Sequence, residues 1–493
     1  GLPAPRPGLR AGADGAGRPG GAAWSGRQLG FQPALSAHSF PAAVASRRTP
    51  HQSQRGFGTS EGSEGNRIIR HIAERGSQPF FKWSLTDLLA LEEHSEEERL
   101  RQLDQLLHIG ISKIILLLQD LPLGFGAGGP IRHVIEDYVQ DIRDLLDCRP
   151  EDSVRYRDVI MTIFTRHRGM LGQIARGLLE FQSEIQQGFE PVADLVTTNC
   201  SDILEQVSAV KRIENALDEF FTIRTTLRLL IAHCAQLQPG DKRHGSYAMN
   251  ELLQRVPMTH VSKDVGDLET RYVGAICLDT RPSLVLIEAY RHAQYMCTRT
   301  FGRAPQLMIN NVPTKEYLDG GHDLPCMDTS FPYVDIHLYF VFFEVLKNAL
   351  VSSIIKAGET GELEPVHASL ITGTSLLTEN ERSVKITDSG QGIGREDVRK
   401  VWSYFHSTLS EGRALGAGNA LTSRPAILEG IEGDLPMGTS IETPELPLKN
   451  ASGQSLTGRG LGLTVSRVLV RYFGGEIDLH SIPRKGTDVY IYL

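Results

Sequence analysis

The stretch VKITDSGQGIG at 384–394 decides how the second half of the chain is read. Val384 to Thr387 alternate as a strand does, and that strand delivers Asp388 into a turn carrying Gly390, Gly392 and Gly394. An acid at a strand end followed by closely spaced glycines suits a ligand that needs a hydrogen-bond acceptor and a close backbone approach. Taken alone, the pattern also fits an ordinary strand-to-helix turn.

Two flanking segments share its logic. Upstream, FFEVLKNAL at 342–350 places Glu344 and Asn348 one turn apart on one helix face, while Val341, Phe342, Val345, Leu346 and Ala349 supply a buried side. The polar face of any amphipathic helix would look the same. Downstream, TGRGLGLTVSRVLVRYFGG at 457–475 sets Gly458, Gly460 and Gly462 before an amphipathic helix. Such a loop leaves backbone N–H groups free at a positive helix end, a ready phosphate site. The glycines come too late in the domain for a Rossmann fold, and no GKS or GKT marks a P-loop.

The order of these elements, closed by Gly486 and Thr487 in a final strand, resembles the ATP site of the GHKL superfamily, which includes gyrase, heat-shock protein 90 chaperones, histidine kinases and MutL-like proteins. Within it, FEVLKNAL, TRHRGMLGQIARGLLEF (165–181), IRTTLRLLIAH (223–233), YRHAQYMCTRTFGRAP (290–305), YFHSTLS (404–410), GRGLGLTVSRVLVRYFGGEI and GTDVYIYL look like the mitochondrial 2-oxoacid dehydrogenase kinases, the pyruvate and branched-chain enzymes. The resemblance covers roughly residues 66–493. It implies an α+β architecture: an N-terminal four-helix bundle, then a GHKL-type α/β sandwich ATP-binding domain with a mixed sheet.

Carried over position by position, the resemblance implies ATP and Mg²⁺ as cofactors, with Asn348 as the metal ligand bridging to the nucleotide phosphates. Asp388, with Thr487 beside it, would accept from the adenine amino group, and Gly390, Gly392 and Gly394 would let the chain pass beside the nucleotide. Ser407 and Thr408 would lie near the ligand; Gly458, Arg459, Gly460, Leu461 and Gly462 would close on the phosphates. Glu344 would be the general base toward a serine hydroxyl. The implied partners are the decarboxylase component of a 2-oxoacid dehydrogenase complex as substrate, the lipoyl domain of its acyltransferase core docked on the bundle, and a second copy in a homodimer. Two alternatives stay open: a nucleotide-binding regulatory module that docks on the complex without phosphorylating it, and a protein-histidine kinase, although no H-box hairpin or receiver domain is visible.

Several positions depart from the family pattern. Phe340 stands where pyruvate-type kinases carry a His four residues before the Glu, with His337 seven before it, and Val351 replaces a frequent Arg. Arg228 is followed by His233 and Cys234. The chain ends at Leu493 without the aromatic tail of the pyruvate type, which leans toward the branched-chain type. His337 is read either as a helix residue in the core or as a catalytic assistant, His233 as a bundle histidine or a phosphate sensor, and Arg224 with Arg228 as surface pairs or an anion site.

Working outward, residues 66–240 show helical periodicity. Ile131, Val134, Ile135, Tyr138, Val139, Ile142, Leu145 and Leu146 make one apolar stripe, and comparable stripes run over about 97–120, 154–187 and 203–237. Short breakers between them predict a bundle. From 255 to 493 strands alternate with helices: YVGAICL (272–278) as a strand, 282–302 as a helix closed by Gly302, APQLMI (304–309) as a strand, and a closing hairpin EIDLHSI/TDVYIYL. Residues 409–457, rich in Gly, Pro, Ser and Thr, read as a long ATP lid.

Residues 1–60 are of another class. They hold seven Arg, no Lys and one acid, a charge of +6 against −14 for the remainder, with eleven Gly. So little apolar surface predicts a disordered arm, and the Arg-rich, acid-poor composition fits a mitochondrial transit segment and a matrix location. The acidic remainder argues against nucleic acid as a partner. Six scattered Cys show no zinc or disulfide spacing and read as reduced thiols. The longest apolar runs fall far short of the ~20 residues of a membrane span.

Overall fold

The structure, a computed structural model, describes residues 61–127, 129–167, 169–188, 200–237, 272–318, 330–358, 361–372, 382–405 and 461–493. The expected arm at 1–60 and loop at 409–457 lie outside these residues.

The first half is helical. After α1 (Glu61–Gly76) and the short α2 (Leu85–Ala90), Ser95 opens α3 (Glu96–Gln119) with a capping box. The Glu98 N–H donates to Ser95 Oγ at 3.3 Å and the Ser95 N–H donates to Glu98 Oε2 at 2.9 Å, satisfying two orphan donors. Leu100, Leu103, Leu107, Ile111, Ile114, Ile115 and Leu118 then face inward at three- and four-residue spacing. α4 (Gly129–Leu146) buries Ile131, Val134, Ile135, Tyr138, Ile142 and Leu145, the stripe expected from the sequence.

The expected stripe over 154–187 is two helices, α5 (Ser153–Arg166) and α6 (Met170–Gly188). The break falls at Gly169, whose φ of +72° interrupts the helical backbone without a Cβ penalty. Its exposed carbonyls are answered by α7 (Cys200–Gln236): Arg228 donates to the Phe164 carbonyl and Arg224 to the His167 carbonyl, each at 3.2 Å. The Arg228 guanidinium also lies 4.0 Å over the Phe164 ring. His167 Nε2 donates to the buried carboxylate of Asp141 at 2.6 Å, which Arg166 also engages.

YVGAICL is a tight hairpin rather than one strand: β1 (Tyr272–Val273) and β2 (Ile276–Thr280) pair across Gly274 and Ala275. Gly274 has φ +54°, and a Cβ there would overlap the His233 ring. That ring is fully buried, with Nε2 donating to the Leu88 carbonyl at 2.9 Å and Nδ1 accepting the Ala275 N–H at 3.1 Å. Burial lowers its pKa to about 4, so it is a neutral, doubly bonded structural histidine. Gly274→Val is expected to lower stability by about 2–4 kcal/mol, combining a positive φ with an overpacked contact; the denaturant midpoint measures it.

The remaining elements are α8 (Pro282–Phe301), β3 (Leu307–Ile309), β4 (Val312–Pro313), α9 (Thr314–Leu318), β5 (Phe331–Tyr333), α10 (Asp335–Ala357), β6 (Val366–Thr372), β7 (Arg382–Asp388), α11 (Arg395–Val398), α12 (Leu461–Tyr472), β8 (Glu476–Ile482) and β9 (Gly486–Tyr492). Pro282 opens α8 and Gly302, at φ +74°, closes it. Asn310 and Asn311, both at positive φ, turn β3 into β4. A six-stranded sheet runs β4-β3-β6-β7-β9-β8, with β3 and β6 parallel and the other neighbours antiparallel; β1, β2 and β5 form a second, small sheet. The fold is thus a helical N-terminal region followed by an α+β region with a mixed sheet.

α10 packs on β7 and β9 and is flanked by α8 and α12. By length and composition it could cross a membrane, but 78% of its apolar window is buried inside the fold, so it is a core helix.

Candidate functional site

α10 sets the geometry of the site. From His337 to Leu350 every residue is buried except Asn348, whose amide alone reaches the surface. One turn earlier, the Glu344 carboxylate is buried and forms a 2.5 Å ion pair with Lys347 through Oε2. The same carboxylate presses against the first turn of α12: a Cβ on Gly462 would overlap Glu344 Oε2. Glu344 therefore lies under a helix N-terminus, where a negative charge is favoured. One turn beyond Asn348, Ser352 Oγ accepts the Gln391 N–H at 3.1 Å, and a Cβ on Gly390 would overlap that same hydroxyl.

One helix thus spans from the phosphate-type turn at Glu344 to the glycine turn at Ser352, about 12 Å along its axis. Asn348 stands midway between them.

At the far end, β7 and β9 bring Asp388 opposite Thr487 in register. Asp388 is buried, and burial raises its carboxyl from 3.8 to about 6, against the backbone N–H groups of Gly390 and Thr487, which lower it. Gly390 N–H donates to its Oδ1 at 2.8 Å. Thr487 Oγ1 is 2.9 Å from Ser481 Oγ, which also accepts the Ile393 N–H at 2.7 Å, so the turn is tied to β8. Gly392 at φ +66° and Gly486 at φ +123° are required: a Cβ on either would overlap backbone carbonyls, of Ile482 and Asp388 respectively. Gly394, with an ordinary φ of −62° and room for a Cβ, serves only as the N-cap of α11.

The structure thus brings Glu344, Asn348 and Leu461 with Gly462 together, and Asp388, Gly390, Gly392 and Thr487 at the far end of the same helix. Ser407, Thr408, Gly458, Arg459 and Gly460 lie outside the described residues. Lys347 and Ser352 were missed in the sequence, although each sits at helical spacing from Glu344 or Asn348. His337 is buried beside Phe473, and burial lowers its pKa to about 4. Phe340 is buried and Val351 packs against the core, so neither supplies a polar group to the site.

Chemically, one end offers a buried acceptor beside a glycine turn, suited to a group that donates a hydrogen bond. The other offers a carboxylate and a helix N-terminus, suited to phosphate and to accepting a proton. Among the described residues no cluster of three metal-ligating His, Cys, Asp or Glu side chains occurs, and Cys148, Cys234, Cys277 and Cys297 are buried free thiols.

Comparison with known proteins agrees with both halves of the chain. Residues 82–277 match the family described as mitochondrial branched-chain alpha-ketoacid dehydrogenase kinase, and residues 333–493 match the histidine kinase-, DNA gyrase B- and HSP90-like ATPases. The chain is similar to the human mitochondrial pyruvate dehydrogenase (acetyl-transferring) kinase isozyme 3, with 24% identity over 362 residues, 72% of this chain and 68% of that protein. It is also similar to the mitochondrial kinases of that name from Arabidopsis thaliana, 23% identical over 86% of this chain and 89% of that one, and from Ascaris suum, 23% identical over 74% and 70%. Against human isozyme 1 the chain spans 63% of the relative's length.

Proposed function

The chain belongs to the mitochondrial 2-oxoacid dehydrogenase kinase family of the GHKL superfamily, and from that premise we propose that it transfers the γ-phosphoryl group of ATP to a serine of the decarboxylase component of such a complex, switching it off. The observation that carries the mechanism is the contact of the Glu344 carboxylate with the N-terminal turn of α12. It puts a proton acceptor where the helix end would hold the γ-phosphate.

In this mechanism Asp388 accepts from the adenine amino group at the buried end, beside a turn whose glycines let it pack directly on Ser352 and the β8–β9 hairpin. The triphosphate follows the α10 face to the first turn of α12, whose free N–H groups bear on its oxygens. The serine hydroxyl oxygen attacks the γ-phosphorus as its proton passes to Glu344; the bond to the bridging oxygen breaks, and ADP leaves with that oxygen. Lys347 holds the Glu344 side chain in place through its ion pair.

Asn348 fits a Mg²⁺ ligand, since a hard oxygen donor stands exposed on an otherwise buried helix stretch. The ion, when bound, offsets charge on the phosphate oxygens. Asn348→Ala removes no buried contact, so we expect an unchanged unfolding midpoint with phosphate transfer lowered about 100-fold, read from initial rates across a magnesium titration.

The lipoyl domain docked on the helical region, a homodimer and the mitochondrial matrix belong to the same proposal; they rest on the family. The test of function is incorporation of labelled phosphate from ATP into purified decarboxylase. Serine phosphorylation supports the proposal. ATP binding without incorporation would favour a regulatory module.

A further inference from the structure

The polar residues of α10 that bear on the site recur at one interval. Glu344, Asn348, Ser352 and Lys356 stand four residues apart, so each lies one turn beyond the last on a slowly winding stripe. The first two carry the roles proposed above, and the last two both meet the turn that follows Asp388. Ser352 Oγ accepts the Gln391 N–H at 3.1 Å, and Lys356 Nζ donates to the Ser389 carbonyl at 2.5 Å. Between these two bonds Gly390 approaches α10 so closely that a Cβ would overlap Ser352 Oγ.

The β8–β9 hairpin holds the other side of the turn. The Arg484 N–H donates to the Gln391 carbonyl at 2.5 Å, and the Ile393 N–H donates to Ser481 Oγ at 2.7 Å. The turn itself grips the acceptor, since the Gly390 N–H donates to Asp388 Oδ1 at 2.8 Å. Any shift of Ser389 or Gln391 therefore moves the N–H that orients the Asp388 carboxylate.

We propose that Lys356 is a positioning residue for the adenine end of the nucleotide site: it fixes the Ser389 carbonyl and, with Ser352, holds the turn that aims Asp388. The inference rests on the ATP reading above. Its charge acts in the same direction. Burial raises the Asp388 carboxyl most, and the Gly390 and Thr487 N–H groups lower it. Among the described residues the charges that bear on it are Asp488, which is paired with Lys385 and raises it, and Lys356, which lowers it. Without the ammonium the acceptor is easier to protonate. A lysine in the last turn also complements the α10 dipole, a role that touches helix stability alone.

The test uses the full chain with Lys356→Met, Lys356→Arg and Ser352→Ala. Lys356 is exposed, so its substitution leaves the core intact. ATP affinity is measured by calorimetry from pH 5.5 to 8, KM for ATP and kcat by phosphate transfer, and stability by thermal unfolding. We expect Lys356→Met to raise the dissociation constant and KM about fivefold at pH 7.5. The pH at which affinity is half lost should move upward by about half a unit, the size of a solvent-screened charge effect. The loss falls on KM rather than kcat, because Glu344 lies about 18 Å away along the helix. Lys356→Arg keeps the charge and should hold both values near the parent's. Ser352→Ala removes an acceptor and no charge, so it should weaken ATP about threefold with the pH midpoint unmoved. Parent-like affinity and pH midpoint in Lys356→Met, an arginine variant as weak as the methionine one, or a change confined to the unfolding temperature would overturn the proposal. An unsubstituted chain that binds no ATP would overturn the nucleotide reading itself, and this proposal with it.

Discussion

Replacing Glu344 with glutamine is expected to slow phosphate transfer by about 100- to 10,000-fold, the range a positioned general base supplies. ATP affinity should stay within about threefold, because Asp388, the glycine turn and Asn348 are untouched. The substitution keeps the shape of a side chain that fits between Lys347 and Gly462, but it removes an anion from the N-terminus of α12 and the charge partner of the buried Lys347 ammonium. A stability loss of about 1–2 kcal/mol follows from those two effects. Single-turnover transfer with pre-bound ATP separates the chemical step from binding. Retained transfer in that experiment would remove Glu344 from the base role, and loss of ATP binding would make it a structural residue.

Asp388→Asn should show the opposite division between stability and function. The folded chain holds the Asp388 proton more tightly than the unfolded chain, since its carboxyl stands at about 6 rather than 3.8. Stability therefore declines as pH rises from about 4 to about 6, and above that the full penalty of a buried carboxylate, about 3 kcal/mol at most, remains. Asparagine carries no such charge, so at pH 7.5 the variant should unfold at the same temperature as the parent or higher. It also offers the adenine amino group a weaker, neutral acceptor, which should reduce ATP affinity about 10- to 100-fold. In the parent, ATP affinity should fall as pH drops below about 6, when the carboxyl is protonated and stops accepting. Calorimetric titration at pH 5.5 and 7.5, with thermal unfolding of both proteins, reads each part. A variant that binds ATP as tightly as the parent would take the acceptor role away from Asp388.

Much of this site was legible because its chemistry sits in short, local patterns. Glu344 and Asn348 share a helix face by spacing alone, and Asp388 with Gly390 and Gly392 are contiguous, so both elements emerge before any tertiary information. What they face was not legible. The burial that raises the Asp388 carboxyl depends on β9, about a hundred residues downstream, and so does part of the Gly486 requirement, since a Cβ there would meet the Asp388 carbonyl across that pair. Gly394 looks equivalent to its neighbours in the sequence, yet only Gly392 has the positive φ. In the helical region, a continuous apolar spacing over 154–187 hid the break at Gly169, because the residues on both sides keep the same inward face. The run YVGAICL hid a hairpin because its apolar residues continue through the turn, and only Gly274 marked the reversal. The contacts of Asp218 and Glu214 with Tyr404 and Ser403 join residues about 190 positions apart and carry no local signal.

The measurement that bears most directly on the kinase assignment is transfer of the γ-phosphate of ATP to purified decarboxylase components. The pyruvate and branched-chain proteins would be presented side by side with their acyltransferase cores. The two names borne by the matching family and the curated relatives make that pairing necessary. The account predicts stoichiometric serine phosphorylation of at least one of the two, with loss of its decarboxylase activity, and transfer by Glu344→Gln slowed about 100- to 10,000-fold. ATP binding with no transfer to either component, or equal transfer by Glu344→Gln, would contradict it.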